Sequence, residues 1–306
     1  MRVLVTGGAG FIGTNLIKQL LLDGHEVTSL DNYSTGKKEN EVEHKNVQYV
    51  DIEMSNQSRL DKKLFWIYEQ DEIKPDIIFH LASVARIQPS FEHPKYTFDS
   101  NVTTTLNILE YARRFNIPLI YAGSSSSNGD KYANPYTLSK SQGEQLCKLY
   151  SKIYNLPTTI CRFYNVYGPH QLTEGEYCTL IGIFERLKKE NKTLTVTGDG
   201  EQRRDFTHVE DIVDGLIRCS RALQIPNEYN VGPDKISGET FELGRGKNYS
   251  VNDIVEAFDE DTVEYIPPIP GEMRETLCTD TKAKEMLGWN PTKDVVDYIK
   301  ENYGLL

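Results

Sequence analysis

Residues 2–13 read Arg2-Val3-Leu4-Val5-Thr6-Gly7-Gly8-Ala9-Gly10-Phe11-Ile12-Gly13. An apolar run stops at a glycine-rich turn, and from Phe11 to Leu22 apolar residues recur at three-to-four spacing. The pattern is a buried strand followed by an amphipathic helix. Glycines at such a turn let the backbone bend tightly and approach a pyrophosphate, whose charge the unpaired amides of the helix N-terminus then stabilise. Taken alone, the glycines leave a plain turn as the lesser alternative. Asp31 adds weight, because it lies 18 residues after Gly13 at the end of the next apolar run, where a carboxylate accepts from both ribose hydroxyls. That carboxylate repels a 2′-phosphate and so favours NAD, while Lys37 and Lys38 keep NADP open.

Working outward, short apolar runs at 26–30, 47–51, 76–80, 118–123 and 157–162 alternate with helical patterns at Ser58 to Gln70, Pro94 to Phe115 and Pro135 to Tyr154. This alternation predicts successive βαβ units and an α/β fold built on a doubly wound parallel (Rossmann) sheet. Beyond about residue 165 the elements shorten: a helix near 177–190, a strand at 193–197, a helix from 209, and segments at 241–244, 263–266 and 292–300. The division expected is a nucleotide-binding domain over 1–165, to which a segment of about 205–244 returns, and a smaller α/β substrate-binding lobe over 166–306.

The chain has 306 residues, 38% hydrophobic and 26% charged, which excludes disordered and collagen-like classes. Acidic residues exceed basic ones by 11, so the summed field repels polyanions and nucleic acid is not an expected partner. An anionic small ligand still fits, since a few arginines and a helix N-terminus hold a phosphate. With no run of 18 apolar residues and a strand from Arg2 onward, neither a membrane segment nor a signal peptide is expected, and the expected compartment is the cytoplasm. Five scattered cysteines, without Cys-x-x-Cys or paired His at ligand spacing, read as reduced core thiols, and no metal is expected.

Tyr136-Thr137-Leu138-Ser139-Lys140 puts a phenol and an ammonium one helical turn apart. The ammonium and a nicotinamide cation would favour phenolate and bring the phenol toward the range of a general base. The spacing is weak evidence, since Tyr33 and Lys37 repeat it in a loop. Context favours Tyr136, which opens a helix just after a strand ending in Gly123-Ser124-Ser125 and so has a hydroxyl beside it.

Together these motifs resemble the extended short-chain dehydrogenase/reductases of the nucleotide-sugar epimerase and dehydratase family, over nearly the whole chain, with UDP-glucose and UDP-N-acetylglucosamine 4-epimerases as the nearest pattern. The resemblance implies that Gly7, Gly10, Phe11, Ile12 and Gly13 hold NAD with Asp31-Asn32 at the ribose, Asp51-Ile52 at the adenine, and Leu81, Ala82 and Ser83 passing the pyrophosphate. Asn101 matches a structural Asn of the cofactor side; Ser124, Tyr136 and Lys140 match the catalytic set. Substrate contacts are expected from Arg86, Ser124, Ser125 and from Asn165 in Arg162-Phe163-Tyr164-Asn165-Val166-Tyr167-Gly168-Pro169. Arg204 in Gly198-Asp199-Gly200-Glu201-Gln202-Arg203-Arg204 and Arg274 in Pro270-Gly271-Glu272-Met273-Arg274 are expected on the substrate diphosphate. The family's Phe-Asn-Ile-Gly strand corresponds to Asn230-Val231-Gly232 or to Glu242-Leu243-Gly244; a serine-led helix start at Ser250 favours the second. A homodimer through the helices at about 94–115 and 136–154 is also implied.

In that family a hydroxyl proton goes to the base and a hydride to NAD, leaving a keto sugar. A 4,6-dehydratase follows its Ser/Thr with an Asp-Glu pair, and a decarboxylase uses a Glu in the same strip; here Ser125 and Ser126 stand there. The reading that remains is a UDP-sugar 4-epimerase, against the alternatives of dehydratase, decarboxylase, NAD(P)-linked reductase or non-catalytic NAD-binding protein. Two local departures are a Ser124-to-Tyr136 separation of only 12 and Asn128 in place of an aromatic before Gly129. Thr276, where glucose-specific epimerases carry a bulky residue, predicts that N-acetylated sugars are admitted.

Overall fold

The computed structural model describes residues 1–69, 74–224, 233–260, 262–268 and 273–303. The first part of the chain gives β1 (Arg2–Thr6), α1 (Phe11–Leu22), β2 (Glu26–Asp31), β3 (Val47–Asp51), α2 (Gln57–Leu64), β4 (Ile77–His80), α3 (Ile87–Glu92), α4 (Pro94–Phe98), α5 (Thr104–Phe115), β5 (Leu119–Ser124), α6 (Pro135–Tyr154) and β6 (Thr158–Phe163). The second part gives β7 (Val166–Tyr167), α7 (Leu180–Lys189), β8 (Leu194–Thr197), β9 (Arg203–Asp205), β10 (Thr207–His208), α8 (Val209–Gln224), α9 (Pro233–Ile236), β11 (Thr240–Leu243), β12 (Asn248–Ser250), α10 (Val251–Ala257), β13 (Val263–Ile266), α11 (Lys282–Leu287) and α12 (Val295–Tyr303).

Seven strands form one sheet in the order β3-β2-β1-β4-β5-β6-β11, with every neighbour parallel. Their residues are apolar on both faces because both are covered. One face packs Val3, Val5, Phe79, Ile120 and Cys161 against α1 and α8; the other packs Leu4, Ile78, Leu119 and Tyr121 against residues of α2, α5 and α6. The chain order reverses between β1 and β4, and in such sheets ligands lie at the carboxyl ends of the strands beside that switch. A separate core of Phe184, Leu194, Val196, Phe206, Ile254, Phe258, Val295 and Ile299 builds the second lobe.

Of the two candidates for the last strand, Glu242-Leu243-Gly244 is in the sheet: Thr240–Leu243 pairs with Ile160–Phe163. Asn230-Val231-Gly232 lies outside the described residues, as does Pro270-Gly271-Glu272. Ser250 does start a helix, with a full capping box to Asp253. Two expected helices are interrupted. A wide π turn at Asp99–Thr103 separates α4 from α5, and another at Phe65–Glu69 follows α2. Among the described residues no helix is long and apolar enough to cross a membrane.

Candidate active site

The loop after β1 turns with Gly7 at φ +73°, and a Cβ there would lie 2.8 Å from the Ala82 amide nitrogen. Only glycine meets both demands. Helix α1 then begins at Gly10 with no side chain capping its first amides, which leaves those donors for a ligand. The cradle therefore fits a pyrophosphate. Asp31, at the end of β2, accepts from the Ala9 amide at 2.9 Å through Oδ2 and from the Tyr33 amide at 2.8 Å through Oδ1. It thus tethers the glycine loop, and each oxygen keeps a further lone pair for a ribose hydroxyl. Burial pushes this carboxyl up while the three backbone amides around it pull it down.

A relay of hydrogen bonds joins this cradle to the helix of the phenol. The Ala82 amide donates to Thr6 Oγ1 at 3.2 Å, and Thr6 Oγ1 lies 2.7 Å from His80 Nδ1. His80 Nε2 lies 2.9 Å from Thr105 Oγ1, whose hydroxyl donates to the Asn101 carbonyl at 2.6 Å. Since Thr105 spends its proton on that carbonyl, His80 donates through Nε2 and accepts through Nδ1. Asn101 binds Val84 through both backbone groups and donates to Ser139 at 2.9 Å, and Ser139 donates to the Tyr136 carbonyl. Asn101 is thus a buried brace, away from the cavity surface.

Helix α6 starts at the mouth of β5. Asn134 caps it by accepting from the Thr137 amide, and Pro135 takes the first turn. Tyr136 donates to Ser124 Oγ at 3.2 Å, and Ser124 is also 2.9 Å from Ser126 Oγ. Lys140 Nζ donates to the Ala122 carbonyl at 2.6 Å and sits 4.6 Å over the Tyr121 ring. Burial pushes Lys140 down to about 8, with Glu144 pulling it back up. Burial pushes the Tyr136 phenol up; its bond to Ser124 and the charge of Arg86 act the other way. Arg86 thus adds a second cation beside Tyr136 that sequence reasoning did not connect with the phenol.

A cavity of about 760 Å³ joins these parts. The glycine loop (Gly7, Gly10, Phe11, Ile12, Gly13), Asp31 and Asn32 line one end, and Leu81, Ala82, Ser83 and Arg86 line the passage past β4. Ser124, Ser125, Tyr136 and Lys140 meet Asn165, Arg204 and Thr276 farther along. Asp51 and Ile52 line an adjoining recess that also contains Asn32. Arg274 does not line the cavity: its guanidinium grips Asp199 at 2.7 and 3.0 Å at the surface. Asn165 Nδ2 donates to the Asp205 carbonyl at 3.0 Å and to Thr276 Oγ1 at 3.1 Å, so Thr276 is locked into the wall.

Sequence reasoning missed Ser126, Tyr177 and Cys178 on the cavity wall. It also missed the buried cluster behind Ser124, where Arg162 joins Glu144 at 2.7 Å and Glu242 at 2.9 Å. Asn128, the residue standing for an aromatic, belongs to that cluster: it accepts from Arg162 and donates to Tyr164 at 2.9 Å and Glu242 at 3.2 Å. The Arg162-to-Pro169 stretch carried the signal for Arg162. All five cysteines are buried and free, but Cys178 lines the cavity, so the core reading fits the other four.

A sheet of this order with a glycine cradle and a Ser-Tyr-Lys set at its carboxyl edge defines a nucleotide-dependent α/β enzyme class. Residues 3–232 match the model of the NAD dependent epimerase/dehydratase family, and the chain belongs to that family, whose cofactor is NAD. It is 33% identical to UDP-glucose 4-epimerase of Mycolicibacterium smegmatis, over 95% of this chain and 94% of that one. Among solved structures it is similar to UDP-glucose 4-epimerase with UDP-glucose from Thermotoga maritima, with 28% identity, a TM-score of 0.85, and 98% and 96% of the two chains covered. It is also similar to UDP-glucuronic acid 4-epimerase from Bacillus cereus in complex with UDP-glucuronic acid and NAD, with 27% identity, a TM-score of 0.81, and 99% and 98% covered.

Proposed function

We propose that the protein is a UDP-sugar 4-epimerase acting through a transient 4-keto sugar. The observation that carries this reading is the Tyr136 hydroxyl 3.2 Å from Ser124 Oγ, in one cavity with the glycine cradle, and followed by a strip, Ser125–Asn128, without a carboxyl group. The cradle's glycines, Asp31 and Asn32 would hold NAD, with Asp51, Ile52 and Lys140 as further residues on its side of the site. Bound there, NAD would supply the acceptor and donor of the hydride of the sugar carbon. Tyr136 Oη takes the proton of the 4-hydroxyl and gives it back, and Ser124 Oγ keeps that hydroxyl and the phenol in line. Asn165 and Ser125 position the sugar, and Arg204 holds the diphosphate; Arg274 joins it only by leaving Asp199. Residues 1–165 with 205–244 form the nucleotide-binding part, and the remainder of 166–306 the substrate lobe. Two chains pair through α4 to α6, whose exposed Tyr96, Leu149, Ile153 and Tyr154 suit burial against a copy.

UDP-glucose and UDP-N-acetylglucosamine are the neutral sugars for which the reading stands. Proton NMR of the protein with a panel of nucleotide sugars tests it. A new 4-epimer supports the proposal; a 6-deoxy-keto sugar, or cofactor reduced and released as product, sinks it.

A further inference from the structure

Arg86 ends the passage after β4 and stands in extended conformation, φ −152°, just before α3. Its Nε donates to the Tyr177 carbonyl at 3.0 Å, which fixes the plane of the guanidinium. It lines the same cavity as Ser124, Tyr136 and Cys178. A guanidinium does not shed its proton in a protein, and one withdrawn from water is ordinarily matched by an anion. Arg86 is half-buried; that partial loss of water works against the cation, and the groups whose charge acts on it are a phenol, Tyr136, and a thiol, Cys178. Burial raises both, so both are neutral near pH 7. Glu176, two residues before Cys178, lies exposed on the rim, where water screens its charge. In a chain whose net charge is −11, the cavity thus holds at Arg86 a positive charge for which the described residues supply no ion-pair partner.

The position of that charge decides which anion fits. Arg86 acts directly on Tyr136, the base for the 4-hydroxyl. In a hexopyranose the carbon carrying that hydroxyl lies between the one bearing the 3-hydroxyl and the one bearing C6; the first flank is the same in both sugars, while the second is a hydroxymethyl group in a neutral hexose and a carboxylate in a uronic acid. A planar carboxylate matches the guanidinium fork. We propose that Arg86 holds a carboxylate on the sugar ring and that the substrate is a nucleotide-activated uronic acid in preference to the neutral hexose. The proposal rests on the 4-epimerase reading for the placement of the ring.

The test compares UDP-glucuronate with UDP-glucose, which differ at C6 alone, using NAD-loaded full-length protein and its Arg86→Gln and Arg86→Lys variants. The ratio of kcat/KM for the two substrates is the readout, since general damage cancels in it. We expect the wild type to favour UDP-glucuronate, Arg86→Gln to lower the ratio on the order of 10-fold or more, as for the loss of a hydrogen bond between charged groups, and Arg86→Lys to recover part of it. An unchanged ratio with both substrates slowed alike would place Arg86 on the shared diphosphate and overturn the proposal, as would a wild-type preference for UDP-glucose. Calorimetric binding of the same nucleotides separates the two readings. Selective binding of UDP-glucuronate that Arg86→Gln abolishes, without turnover of either sugar, removes the epimerase reading and keeps the carboxylate site; turnover of UDP-glucose with unselective binding does the reverse.

Discussion

At the scale of single residues the site depends on where protons sit. Tyr136→Phe removes the group that takes the proton while leaving the cradle intact, so turnover is expected to fall by at least about 100-fold with NAD affinity nearly unaltered; retained turnover in a stopped assay would dismiss Tyr136 as the base. Thr276 stands in the wall, accepting from the Asp205 amide and Asn165. Thr276→Tyr should depress kcat/KM for UDP-N-acetylglucosamine more than for UDP-glucose, because the larger ring takes the space of a 2-substituent. Equal effects on both sugars would show that this wall does not face carbon 2.

Between elements, two contacts set the spacing of the machinery. A Cβ on Gly143 of α6 would lie 2.1 Å from the Tyr121 hydroxyl of β5, so the glycine lets the helix lie close enough for Lys140 to reach Ala122. Gly143→Ala gains about 1 kcal/mol of helix propensity but overpacks a buried contact at about 1–3 kcal/mol. We expect a Tm lower by a few degrees and weaker NAD binding; a higher Tm with normal binding would refute the close-packing argument. The second contact is His80, buried with both nitrogens engaged and pushed by burial from 6.5 down to about 3, Lys140 acting in the same direction. The unfolded chain binds this proton first, so stability is full above the unfolded value and is lost as pH falls from about 6.5 toward 3, by roughly 4–5 kcal/mol in all. Buried Asp31 and Asp205, pushed up, act in the opposite sense. Urea midpoints between pH 7 and 4 should therefore fall more steeply for the wild type than for His80→Gln; parallel slopes would contradict the assignment. The sheet strands and α1 were legible because their apolar periods are unbroken, and Tyr136 because a helix opens directly after a strand. The relay through Thr6, His80, Thr105 and Asn101 was not, since its members share no spacing and meet only when β1, β4 and α5 pack. Arg274 was legible as a motif, but the partner its guanidinium takes, Asp199, depends on how the surface loops fold.

For the whole molecule, the exposed apolar residues of α4 to α6 predict a dimer near 70 kDa from chains of 34.9 kDa, measurable by light scattering. Leu149 and Ile153 lie one turn apart on α6 and are 49% and 58% exposed; replacing both by Glu should give monomers, and a wild type already near 35 kDa would end the idea. The order of the sheet has a further consequence. The chain leaves it at Phe163 and re-enters at Thr240, and α8 covers the face formed by Val5, Phe79, Ile120 and Cys161. During synthesis the glycine cradle and the Tyr136 helix emerge well before that cover. The nascent chain then carries an open apolar face until α8 and β11 have left the ribosome.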